Sequence, residues 1–266
     1  MFDSFNRPIN YLRISVTDRC NLRCMYCMPE NGIPLIPHSD ILSFEEIIEV
    51  VDAAVSLGID KVRITGGEPL VRKNVNSLVK KIAQKPEILD FSMTTNGQLL
   101  ALFAETLKEA GLHRINISLD TLNPAKYRQI TRGGEIEHVI KGIHAAIATG
   151  LTPIKINCVI NSSPSEPDAL EVAGFGKKIG VQVRFIRKMD LENGEFYIVE
   201  GGSGGDCKAC NRLRLTANGM VKPCLFNEME FSVRQYGALK ALELALSNKP
   251  FCGTFNRHGG FYNIGG

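Results

Sequence analysis

Strands that alternate with helices constrain this chain more than any other feature of its sequence. Alternating or β-branched patterns mark strands at 11–16, 61–65, 90–95, 113–119, 154–160 and 182–186. Helical spacing fills the intervals, near 43–58, 74–84, 100–110, 136–149 and 168–179, with a short segment at 124–130. Ser43 and Glu46 make a capping box for the first of these helices, and Gly58, Gly111, Gly150 and Gly180 stand where helices end. Such alternation calls for a parallel sheet joined by right-handed crossovers, with reactive groups at the C-terminal ends of the strands. A later helix near 232–246, striped by Leu239, Leu242 and Leu246, is expected to pack the C-terminal part onto that sheet.

The first strand runs directly into Cys20, Cys24 and Cys27. Thiols this close cannot form a set of disulfides, and three are one ligand short of a closed tetrahedral zinc site. A [4Fe–4S] cubane suits them better. Three protein thiolates leave one of its irons open to a small molecule, so the spacing suggests chemistry as well as structure. A second trio, Cys207, Cys210 and Cys224, again lacks a fourth ligand for a zinc ribbon, the nearest histidine being the distant His258. Arg212 and Arg214 lie between its members and would share one face of a strand. Of the eight cysteines, Cys158 and Cys252 are left over and are read as buried or incidental thiols.

A chain of 266 residues, 44% of them hydrophobic, can form one large α/β domain or one domain with an added cap. No apolar run approaches the roughly 20 residues that span a bilayer, and the start has no signal-peptide pattern, so a cytoplasmic protein without membrane attachment is expected. A net charge of +3 with no basic block argues against nucleic acid as a partner.

The first cysteine spacing, with Tyr26 before its last member, resembles the signature of the radical S-adenosylmethionine enzymes. The run from Arg13 to Pro29, the loop Gly66-Gly67-Glu68-Pro69 and the run Asn211 to Thr216 resemble, more narrowly, the GTP 3′,8-cyclases of molybdenum cofactor biosynthesis. The resemblance implies an incomplete (β/α)6 barrel, residues 1–190, and a C-terminal portion, 207–266, that closes its mouth. It implies a lyase with two [4Fe–4S] clusters, one on Cys20, Cys24 and Cys27 and one on Cys207, Cys210 and Cys224, with S-adenosylmethionine as cofactor. Electron transfer from the first cluster would cleave the cofactor, and the resulting radical would take hydrogen from C3′ of GTP.

By the same resemblance Tyr26, Gly66, Gly67, Glu68, Ser118 and Met189 would contact the cofactor, and Arg13, Arg63, Thr94, Lys155, Arg212 and Arg214 the GTP. Two glycines permit close backbone approach, and a carboxylate such as Glu68 attracts the methionine ammonium. The diglycine end, Gly265-Gly266, would reach into the active site. An external electron donor is implied, and a second copy of the chain is a candidate partner.

Two departures stand out. Residues 191–206 lose periodicity, and Gly201-Gly202-Ser203-Gly204-Gly205 has linker composition: either a segment shortened and rejoined by a glycine-serine bridge, or a natural short loop. Arg187 and Lys188 fall where such cyclases usually carry an acid, which changes the electrostatics expected near the sixth strand. Rival readings are a radical enzyme acting on a peptide or another nucleotide, and a non-catalytic iron-sulfur or zinc-binding protein.

Overall fold

The computed structural model describes residues 1–257 and 260–264, so His258 and the diglycine end lie outside the described residues. Six strands and six helices alternate as the sequence predicts: β1 (Tyr11–Ser15), α1 (Phe44–Ser56), β2 (Lys61–Thr65), α2 (Val75–Ala83), β3 (Asp90–Thr95), α3 (Leu100–Glu109), β4 (Arg114–Ser118), α4 (Pro124–Thr131), α5 (Ile136–Ala148), β5 (Lys155–Ile160), α6 (Pro167–Lys178) and β6 (Gln182–Arg187). Strands β1 to β6 are parallel and lie side by side in chain order. This is the incomplete (β/α)6 barrel.

Alternation along each strand separates two environments. Leu12 and Ile14 of β1, with Val62 and Ile64 of β2, are wholly buried among the apolar faces of the helices. Their neighbours Tyr11, Arg13, Lys61 and Arg63 point the other way, toward a cavity inside the curve of the sheet. The predicted capping box is present: Ser43 Oγ accepts from Glu46 N at 3.1 Å while Glu46 Oε2 accepts from Ser43 N at 2.7 Å. Helices α3 and α5 approach closely because Gly142 has no side chain; a Cβ there would stand 2.9 Å from the Gly97 carbonyl and from Leu100 Cβ.

The C-terminal part extends the same sheet. Strand β7 (Arg212–Leu215) pairs in parallel with the free edge of β1, and β8 (Met220–Lys222) and β9 (Phe231–Ser232) continue antiparallel. The helix expected near 232–246 is broken into α7 (Val233–Tyr236) and α8 (Ala238–Ser247). Gly237, at φ +77°, adopts a conformation that L side chains rarely hold and resets the helix phase. The buried stripe is therefore Ala241, Leu242 and Ala245, and Leu239 faces solvent at 46% exposure.

Residues 195–205 do more than join two parts. Phe185 and Glu200 exchange backbone hydrogen bonds at 3.0 Å, Val199 N donates to the Gly204 carbonyl at 2.8 Å, and Gln182 Nε2 donates to the Gly201 carbonyl at 3.0 Å. The glycine-rich segment lies along β6 and walls the cavity. Among the described residues no helix is long and apolar enough to cross a membrane.

Candidate active site

The loop bearing Cys20, Cys24 and Cys27 turns tightly, with the amides of Cys27 and Met28 both donating to the Cys24 carbonyl at 2.9 and 3.0 Å. It is clamped to the end of α4. Arg132, in a left-handed conformation at φ +53°, donates from Nη1 to the carbonyls of Arg23 and Met28 at 3.1 and 2.9 Å, and Met25 N donates to the Ile130 carbonyl. The sequence carried no signal for this clamp. Cys20 Sγ accepts from Leu22 N at 3.4 Å and Asn96 Nδ2 at 3.7 Å. Burial, followed by the charges of neighbouring thiols, pushes Cys24 and Cys27 up to about 12. Three soft thiols from one braced loop fit an iron-sulfur cluster, whose cationic irons would draw off those protons.

The Gly66-Gly67-Glu68-Pro69 loop packs against the chain entering this cysteine loop. Gly67 N donates to the Thr17 carbonyl at 2.7 Å and Glu68 N to the Arg19 carbonyl at 2.8 Å; a Cβ on Gly67 would collide with that Arg19 carbonyl. Here the glycines permit one backbone to approach another. Glu68 is 1% exposed and accepts from Thr95 Oγ1 at 2.7 Å, Asn96 N at 2.7 Å and Leu70 N at 3.1 Å, tying the ends of β2 and β3 together. Burial outweighs these bonds and pushes its carboxyl up to about 7. Half-buried Ser118 ends β4, and Tyr26 donates its hydroxyl to Asp120 at 2.8 Å.

The cavity inside the sheet has a volume of about 280 Å³. Arg13, Arg63, Lys155, Arg212 and Arg214 all line it, as do Cys207, Cys210 and Cys224. Thr94 does not, although its hydroxyl is buried without a partner among the described residues. Strand register sets Arg214, Arg13 and Arg63 in one row across β7, β1 and β2, and Arg212, Tyr11 and Lys61 in the next. Like charges at facing positions repel. Burial first, then Arg212, lowers Arg214 to about 10; burial, then Arg184, Arg114 and Arg63, lowers Lys155 to about 8. Asp90 answers part of this charge, meeting Arg114 at 2.8 Å and Lys61 at 2.5 Å. Among the described residues the Nε atoms of Arg184 and Arg212 are buried with no partner, as is the Tyr11 hydroxyl. Donors so placed fit a polyanion.

Lys249 is a site residue that sequence reading missed. It is 3% exposed, donates from Nζ to the carbonyls of Arg212 and Pro223 at 2.9 and 2.6 Å, and hydrogen-bonds Cys210. Burial raises the Cys210 thiol, but Lys249 and Arg212 more than offset it and hold it below its ordinary value. Gly253 N serves Cys207, and Phe226 N serves Cys224. A second cavity, about 520 Å³, is lined by Tyr26, Cys27, Arg187 and Lys188, and Met189 lines both. Arg187 lies over the Tyr197 ring at 3.8 Å, so this departure faces the second cavity and not the arginine rows. Among the described residues no three His, Cys, Asp or Glu side chains converge on a single-ion site.

Fold and cysteine loop together define the class: the radical SAM superfamily model matches residues 14–173. The solved structure of anSMEcpe with bound AdoMet overlays with a TM-score of 0.66 at 17% identity, covering 90% of this chain and 81% of that one, a likeness of fold alone. The chain is 40% identical to the GTP 3′,8-cyclase of Petrotoga mobilis, across 97% of this chain and 96% of that protein, and 43% identical to that of Desulforamulus reducens, across 88% and 86%. It belongs to the GTP 3′,8-cyclase family of the radical SAM superfamily. The Petrotoga alignment runs to 310 positions, longer than this chain, so that relative carries residues without a counterpart here.

Proposed function

We propose that the chain cyclises GTP between C3′ and C8 for molybdenum cofactor biosynthesis, and that the residues divide the work between the two cavities. The single observation that carries this reading is the pair of cation rows lining the same cavity as Cys207, Cys210 and Cys224. A triphosphate supplies the charge those rows lack, and the trio would hold a second cluster on the same cavity, where it would supply a Lewis-acidic site for the base. Cys20, Cys24 and Cys27 would hold the first cluster, which together with S-adenosylmethionine would supply the hydrogen-abstracting power.

Arg13, Arg63, Lys155, Arg212 and Arg214 bind and orient the nucleotide, because guanidinium groups are planar, permanently charged and bidentate. Met189, lining both cavities, separates the cofactor side from the substrate side with an apolar thioether. Residues 195–205 exclude water from the cavity they wall. Gly66, Gly67 and Glu68 fix the shape of the cofactor loop, with Tyr26 and Ser118 beside it. A one-electron donor from outside the chain completes the requirements, and oxygen-labile clusters suit a reducing cytoplasm.

The test is anaerobic turnover of the iron-loaded protein with S-adenosylmethionine and GTP, following 5′-deoxyadenosine and cyclised nucleotide together. Both products are expected. Arg212→Ala and Arg214→Ala should each weaken GTP use by about one to two decades, from about 1.5–3 kcal/mol per charge-assisted contact, while the cofactor is still cleaved. Cleavage of the cofactor with no GTP consumed by the wild-type chain would overturn the reading.

A further inference from the structure

Cys252 is the thiol for which sequence reading found no use, and the fold brings it to the second cysteine group. Its sulfur stands 3.2 Å from Cys207 Sγ, too far for a disulfide, and both thiols are free. The approach is built into the structure. A single guanidinium, that of Arg7, donates to the carbonyls of Cys207, Phe251 and Pro250 at 2.6, 2.8 and 2.7 Å. Arg7 is itself buried and held by Asp3 at 2.7 Å. The next residue of the turn, Gly253, donates its amide to Cys207, and a Cβ there would stand 3.3 Å from Cys224 Sγ. The turn carrying Cys252 thus lies against two of the three cysteines of the second group.

We propose that Cys252 is an alternate ligand for the iron assigned to Cys207. This rests on the reading that Cys207, Cys210 and Cys224 hold a second cluster. Two thiolates on one tetrahedral metal, each about 2.3 Å from it, stand about 3.8 Å apart, whereas ligands at different corners of a cubane stand farther. A separation of 3.2 Å is nearer the first spacing than the second, so either sulfur can reach the same iron, Cys252 from the exposed side. An iron already bound to three sulfides takes one thiolate there, so the two cysteines alternate. The exchange is a ligand substitution: the Cys252 thiol loses its proton on binding, the departing Cys207 thiolate gains one, and no electron moves.

Anaerobic reconstitution of the full chain, with iron and sulfide counted per polypeptide and cluster signals followed by electron paramagnetic resonance, tests this. Wild type, Cys207→Ala and Cys252→Ala should each hold two cubanes' worth of iron, and the double variant one. In loaded Cys207→Ala, Cys252 should resist iodoacetamide until the iron is chelated, a readout that does not depend on comparing yields. Loss of one cubane in Cys207→Ala alone, or full alkylation of Cys252 in its loaded form, would overturn the proposal while leaving the two-cluster reading intact. A wild-type chain with one cubane's worth of iron would overturn both.

Discussion

Glu68 shows how much of the site's behaviour is set at single residues. Its carboxyl is buried, and the desolvation of its charged form outweighs the three hydrogen bonds that favour it, raising it from an ordinary 4.5 to about 7. Between these values the folded chain keeps a proton that the unfolded chain has lost. Stability contributed by this group is therefore full below pH 4.5 and is lost as pH rises toward 7, by roughly 3 kcal/mol at about 1.4 kcal/mol per unit. Urea unfolding of wild type and Glu68→Gln between pH 5 and 7 measures it. The wild-type curve should fall more steeply with pH, and parallel curves would show that Glu68 keeps its ordinary carboxyl titration in the folded chain.

At the scale of elements, the segment 195–205 is the place where composition and structure diverge most. Glycine-rich sequence reads as a loose join, yet the backbone of this segment is hydrogen-bonded to β6 and its residues wall the cavity. Gly205 sits at φ +81°, and a Cβ there would collide with the Tyr197 carbonyl. Gly133, at φ +124° with open space around it, offers a control that bears the conformational strain without the collision. Gly205→Ala is expected to cost more than Gly133→Ala, which should lose about 1–3 kcal/mol from backbone strain alone. Hydrogen exchange at Val199 and Phe185 should accelerate only in the Gly205 variant. Equal exchange in the two variants would return the segment to the status of a passive linker.

The whole molecule carries a formal charge of only +3, and that figure conceals a cavity in which arginines and lysines from β1, β2, β4, β5, β6 and β7 converge with Asp90 and Asp206 as the lining acids. Such convergence disfavours the folded state when nothing neutralises it. Inorganic triphosphate, which has the charge of the proposed substrate without its nucleoside, should therefore stabilise the protein. At a hundred times its Kd the gain is about 2.7 kcal/mol, or roughly 5–10 °C in a chain of this size, shrinking as salt is added. Thermal melts with and without triphosphate decide it. The shift should diminish in Arg63→Ala, and a shift unchanged in that variant would place the anion elsewhere.

The parallel alternation, the capping box and both cysteine trios were legible in the sequence because each depends on spacing over a few residues, which backbone periodicity converts directly into shared faces or adjacent ligands. Arg212 and Arg214 were placed on one strand face for the same reason. The break at Gly237 was present as a glycine but depended on its neighbours to become a positive-φ turn instead of a tolerated helix residue. What only the tertiary structure decided is lateral. The row of Arg214, Arg13 and Arg63 joins strands far apart in the chain, and its register follows from sheet pairing that no local pattern encodes. Lys249, Arg132 and Arg7 became braces because folding buried them beside distant carbonyls. Cys252 became a neighbour of Cys207 across 45 residues of chain, through packing that spacing alone cannot specify.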